Sequence, residues 1–434
     1  MVSADINKEV LRLAVPSILA NVTVPLVGLV DIAIAGHISD ASSIGGIAIG
    51  TMLFDLLYWN FGFLRVGTGG LTAQAFGRKD RKGAVGILTK GIKTSMTAAA
   101  GILALQWVFV TTVLALLPCS EAVSQFARQY FLIRIWAAPA TLSLMVFKGW
   151  FIGMQDATSA MTCDLTVNIV NMLASFLLAV HTPLEALGIA YGTLIAQYSG
   201  LIVSVVIYIR KFRLRIPSVR HTRLFSVRYA QSNGNYLRLN ASLFVRSLCF
   251  MGIYIGFTTI TSAYGDTQLA VGSIIMKVFM LVSYLIDGFA YAGEALTGRF
   301  IGESNRHMLR SSIRCISLWT LVIGIAFTLL FLLTGEDLVR MMTSDHNVIE
   351  GSLPYLPWLV VLPLIGSFAF MWDGIFAGAT RGRQLMYCMI WSVISFFATY
   401  LLSYPIIGTH AVYAALLMHL VVRAIYLTAK ARTI

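Results

Sequence analysis

The chain has 434 residues, 58% of them hydrophobic and only 12% charged, with a net charge of +13 and a mean hydropathy of +0.79. A soluble domain carries about twice that charged fraction. Soluble enzymes and binding modules are therefore excluded, and an all-α integral membrane protein of many spans is indicated.

Apolar runs of about 20 residues cross a bilayer as helices, because hydrocarbon offers no partner to an unpaired backbone group. The first run covers 13–35 and contains Pro16, Pro25 and Asp31. These residues interrupt the apolar stretch and no small-residue cleavage site follows, so it reads as a retained span and not a signal peptide. A proline inside a helix removes a backbone hydrogen bond and bends the axis. Asp31 thus sits beyond two bending points, on an element able to change shape with the charge it carries. A dry environment favours the protonated carboxyl, which suits a group that takes up and releases a proton. The alternative is a structural ion pair.

The next runs are 44–64, 94–117 and 131–154, with Asp55 inside the second run and Arg65 at its end. Runs five and six, 163–181 and 187–209, carry Asn168 and Asn171 three residues apart, then Thr193 and Gln197 one turn apart. Such polar groups either coordinate a cation beside Asp31 or act as interhelical glue. A basic segment, 210–240, follows with eight Arg and Lys and no acid. It reads as a linker lying on anionic lipid. Its aromatics are too few for a nucleic-acid stacking platform.

The second half repeats the pattern with runs at 241–263, 268–293, 313–334, 354–377, 386–407 and 411–429. Asp287 and Glu294 are seven apart in run eight, hence on one face. Two carboxylates in one dry space do not both ionise cheaply. Asp373 lies in run ten, and the three acids form a second candidate site for substrate or proton. Lys277 is ten residues before Asp287, about 80° round the helix. Arg246 and Arg423 are the remaining charges within the runs.

The halves echo each other. Gly62, Phe63 and Gly67 match Gly288, Phe289 and Gly293. After a one-residue slip, Leu71, Thr72 and Gly77 match Leu296, Thr297 and Gly302. Gly149, Phe151 and Gly153 match Gly374, Phe376 and Gly378 at an offset of 225. A tandem repeat of this kind predicts two six-helix lobes, 1–209 and 241–434, joined by the 210–240 linker.

Placing the N-terminus inside puts 25 of the 32 Lys and Arg on the cytoplasmic side and leaves only Arg128, Arg134 and Arg340 outside. Both termini are then cytoplasmic. The five cysteines form no CxxC pair and read as small core residues, with no metal site expected. His37, His181, His346 and His410 lie near run edges and read as interfacial. No nucleophile–base motif supports an enzyme.

At these residues the chain resembles the multidrug and toxic compound extrusion (MATE) transporters, specifically the DinF-like branch. The matching strings are Val30-Asp31 through Gly36-His37, Phe61 to Thr68 with Ala73 to Gly77, Asn168 to Asn171, Asp287 to Ala295, and Asp373 to Phe376 with Gly378 to Arg381. The resemblance implies a bacterial inner-membrane antiporter of twelve transmembrane helices, in two six-helix lobes related by a pseudo-twofold. It also implies a monomer, with no cofactor, that exports amphipathic, often cationic small molecules by alternating access. Entry of a proton, or alternatively sodium, drives the export. The family's first-span Asp falls on Asp31, its bending proline on Pro16, and its polar partners on Asn171 and Thr193. Where relatives often carry a further Asp, this chain has Ser175, which favours protons over sodium. A flippase for lipid-linked intermediates is the second reading. It wants a cationic cavity, whereas the acids in the runs (Asp31, Asp55, Asp287, Glu294, Asp373) outnumber the bases (Arg65, Arg246, Lys277, Arg423).

Overall fold

The computed structural model describes residues 4–38, 41–117, 119–213 and 233–434. Most of the 210–240 linker, with Arg215, Arg220, Arg223 and Arg228, lies outside them, as does the side chain of His37.

Fifteen helices are described: α1 Ala4–Ile38, α2 Ala41–Tyr58, α3 Phe63–Gly77, α4 Arg81–Leu116, α5 Glu121–Arg134, α6 Ala138–Gly153, α7 Ala157–His181, α8 Leu187–Ile207, α9 Asn233–Ala263, α10 Asp266–Gly302, α11 Arg306–Met342, α12 His346–Ser352, α13 Leu356–Gly378, α14 Gly382–Ile407 and α15 His410–Lys430. They supply twelve spans long and apolar enough to cross a membrane, one for each apolar run. The longest, α10 and α11, have 37 residues each, about 55 Å at 1.5 Å per residue. Polar residues mark several helix starts: Asp80 before α4, Asn305 before α11 and Asp345 before α12 each accept a bond from a first-turn backbone N–H.

Three spans are built from two helices with a 3₁₀ turn between. Trp59–Phe61 separates α2 from α3, Ile135–Ala137 separates α5 from α6, and Leu353–Tyr355 separates α12 from α13. In the last two cases a proline at the second position of the new helix, Pro139 or Pro357, lacks the N–H that would continue the ladder. By contrast α1 runs unbroken through both Pro16 and Pro25.

The helices group into two compact units. One comprises Leu19–Asn233; the other comprises the chain through Ile18 together with Gly234–Ile434. The start of α1 therefore packs with the second half of the sequence, although the halves read from the sequence assign it to the first. Specific contacts hold it there. Trp319 Nε1 donates to Asn7 Oδ1 at 2.7 Å, Arg299 pairs with Glu9 at 3.3 Å, and Gly288 brings α10 against Ala14 and Ile18.

The internal repeat reappears in the packing. Gly149 of α6 lies on the backbone of Arg65 and Gly153 on that of Gly69; Gly374 of α13 lies on Ala290 and Gly378 on Glu294. Every member of one set is 225 residues from its counterpart. At Gly67 this register makes Ala292 the equivalent residue, not Gly293. The one-residue slip in the sequence match is therefore absent from the contacts. A Cβ on Gly149 or Gly374 would overlap a backbone carbonyl that has nowhere to move. Gly374→Ala is accordingly expected to lower stability by about 1–3 kcal/mol. Gly101→Ala, where a Cβ meets nothing within 4 Å, should leave it unchanged or slightly raised. Thermal unfolding in detergent checks both.

Candidate functional site

In the first unit the site is prepared by a small-residue stripe. Gly46 and Gly50 of α2 leave room for the rings of Phe126 and Tyr130 of α5. One turn further along both helices, Phe54 meets Arg134, whose guanidinium lies 4.6 Å from the Phe54 ring centroid. Arg134 also donates to the Tyr130 hydroxyl at 3.2 Å. Phe54 stacks on Phe131 at 5.0 Å and on Tyr58 at 5.5 Å.

Arg134 is the charge that faces Asp31 of α1 and Asp55 of α2. Its position three residues into run four predicts a place at the outer surface. The structure puts it within the span Glu121–Gly153. Its spacing of four from Tyr130 was the available signal. Asp55 and Arg65 lie ten residues apart in the sequence. They stand on separate helices, either side of the 3₁₀ turn, and the Coulombic partner of Asp55 is Arg134. Asp55 is exposed. Asp31 is half-buried, and among the described residues its Oδ1 accepts no hydrogen bond.

Asn171 Nδ2 donates to Thr193 Oγ1 at 2.9 Å, and Asn168 Nδ2 to Thr23 of α1 at 2.5 Å. The four residues expected to act together thus form three separate groups. All belong to the first unit, and two of the groups share an apolar cluster. Val30 and Ile34, which flank Asp31, belong to it with Ile189, whose carbonyl accepts from Thr193. Ser175, the departure from the family pattern, is fully buried, and Gly192 of α8 lies against its backbone and hydroxyl. The crossing leaves no volume for a larger side chain. Ser175→Asp is therefore expected to cost about 2 kcal/mol or more through overpacking and an unpaired carboxylate, read as a lower unfolding midpoint, without creating a sodium requirement.

In the second unit, Asp287 of α10 is half-buried and Glu294 is buried, 1% exposed. Lys277 is exposed on the same helix and makes no ion pair among the described residues. Asp373 of α13 directs Oδ2 to two arginines, Arg246 of α9 at 2.6 Å and Arg423 of α15. Arg423 is 1% exposed and lies 5.1 Å from the Phe370 ring. His419, one turn earlier on α15, is 2% exposed and went unremarked in the sequence, as did the ion pair of Lys148 with Asp164 between α6 and α7. Adding Arg134, Lys148 and Asp164 to the charges named within the runs makes six acids and six bases, so the acid excess expected from the sequence disappears.

Twelve spans, two repeats with one packing register and buried charges on facing helices define a polytopic membrane protein of the transporter class. The MatE family model matches residues 16–177 and 243–402, one segment for each repeat. The chain is 31% identical over 423 residues to the DNA damage-inducible protein F of Escherichia coli K12, covering 98% of this chain and 91% of that protein. It is 22% identical to human multidrug and toxin extrusion protein 1, covering 92% and 68%. A solved outward-facing multidrug resistance MATE family transporter superposes with a TM-score of 0.88 at 20% identity, covering 98% of this chain and 96% of that one. The chain belongs to the MATE family.

Proposed function

We propose that the chain is a proton-coupled antiporter that exports amphipathic, often cationic drugs or metabolites by alternating access. The observation that carries the reading is Asp31: a half-buried carboxylate whose Oδ1 has no donor among the described residues and which faces Arg134. Such a group can give up one cation to take another. In the outward-open state it takes a proton, its charge is lost, and its hold on a cationic substrate weakens. Substrate leaves outward and the proton leaves inward. Competition for one carboxylate gives antiport without further machinery. Asn168, Asn171 and Thr193 would serve as polar neighbours, and Pro16 and Pro25 would let α1 repack. Ser175, packed against Gly192, offers no second carboxylate, which supports a proton over sodium.

The likeness to the Escherichia coli protein and the basic residues gathered on one side support a bacterial inner-membrane location with both termini in the cytoplasm. The test is efflux of a cationic dye from proteoliposomes, driven in turn by a proton gradient and by a sodium gradient. Proton-driven efflux alone is expected; sodium-driven efflux alone would overturn the coupling ion. A flippase of lipid-linked intermediates remains the second reading, favoured by the Arg246–Arg423 cluster. Movement of a lipid-linked pyrophosphate without dye efflux would select it.

A further inference from the structure

We propose that Arg246 and Arg423 form a binding site for the anionic head, a carboxylate, sulfonate or phosphate, of an amphipathic molecule. The cluster holds two permanent positive charges against one negative charge. Asp373 Oδ2 accepts from both guanidinium groups, yet Arg423 Nε and Nη1 and Arg246 Nε have no acceptor among the described residues. Arg423 is 1% exposed, so bulk water does not satisfy it. Buried donors of a charged group without acceptors are costly. A planar fork of N–H groups matches an oxyacid, which accepts two bonds at once. His419 Nδ1, also buried, adds a polar atom one turn along α15.

The site has an opening and an apolar wall. Arg246 retains 23% side-chain exposure and Asp373 11%, while Phe370 stacks beneath Arg423. Asp373 lies five residues before the end of α13 and Arg423 seven before the end of α15, roughly 8 and 10 Å along the axes. In the proposed orientation these ends are cytoplasmic, where an exporter takes up cargo. That the bound molecule is cargo rests on the exporter reading; the binding site itself does not. Because Asp373 is already shared by two arginines, it is not available to a cationic group there. An incoming anion would compete with it for the same donors.

The probe is 2-naphthalenesulfonate, titrated calorimetrically into the purified full chain in uncharged detergent. Wild type is expected to bind it. Arg246→Gln and Arg423→Lys, the latter keeping the charge but losing the fork, should each weaken binding roughly tenfold or more. Asp373→Asn should tighten it, and the unfolding midpoint of that variant should rise more with the probe than wild type does. A merely structural ion cluster would not produce this reversal of sign. No binding by wild type, binding by both arginine variants as tight as that of wild type, or weaker binding by folded Asp373→Asn overturns the proposal. Repeating the titration in phosphatidylcholine nanodiscs with and without phosphatidylglycerol separates the sources. Competition that disappears in Arg246→Gln assigns the site to a lipid headgroup; absence of competition assigns it to soluble amphiphiles. Dye efflux measured on the same variants keeps the two readings apart. Intact efflux with no sulfonate binding sinks this inference alone.

Discussion

Asp31→Asn is expected to bind cationic substrate more weakly than wild type, as the protonated carboxyl does, and to lose export driven by a proton gradient. The substitution keeps the size and most of the polarity of the side chain while removing its ability to exchange a proton for a cation. Coupling free energies of about 1–3 kcal/mol correspond to roughly 5- to 150-fold changes in affinity, so gradient-driven efflux should fall to about one tenth or less. Residual binding is expected because the apolar cluster around Val30 and Ile34 is untouched. Proteoliposome efflux paired with equilibrium dye binding on the same preparation checks both halves. Wild-type efflux rates in the variant would remove Asp31 from the coupling mechanism. A variant that has lost both binding and efflux would instead make Asp31 a substrate contact alone.

The second large effect is on stability. Asp373→Leu leaves Arg246 and Arg423 facing each other with no acid between them, and Arg423 is almost wholly buried. Removing one member of a buried ion pair costs about 3–5 kcal/mol, since the charge left behind has neither water nor a partner. Replacing all three by apolar residues of similar size, Arg246→Met, Asp373→Leu and Arg423→Met together, should recover most of that loss. The comparison of single and triple variants by detergent unfolding separates the cost of an orphaned charge from the cost of altered packing. If Asp373→Leu is as stable as wild type, the cluster is hydrated and not dry.

The number and sequence positions of the spans were legible because apolar run length is a one-dimensional property. The repeat was legible because glycines at helix crossings are irreplaceable where a backbone carbonyl occupies the space a Cβ needs. The pairing of charges was not legible. Arg134 looked peripheral by its position near the start of an apolar run, and only the packing of Gly46 and Gly50 against α5 brings it to Phe54 and towards Asp31. The partners of Asp373 lie 127 and 50 residues away, a separation that no local periodicity encodes. Ser175 was visible as a departure from the family pattern. Its cause, the approach of Gly192, belongs to a different helix.

The division of α1 at Ile18 has a consequence for the connectivity of the chain. A backbone cut between Arg213 and Asn233 would produce two polypeptides, yet not two independent pieces. The first polypeptide would still carry Asn7, Glu9, Ala14 and Ile18, whose partners Trp319, Arg299 and Gly288 reside on the second. The opening helix is thus a built-in clasp, and separately expressed halves bear the means of finding each other.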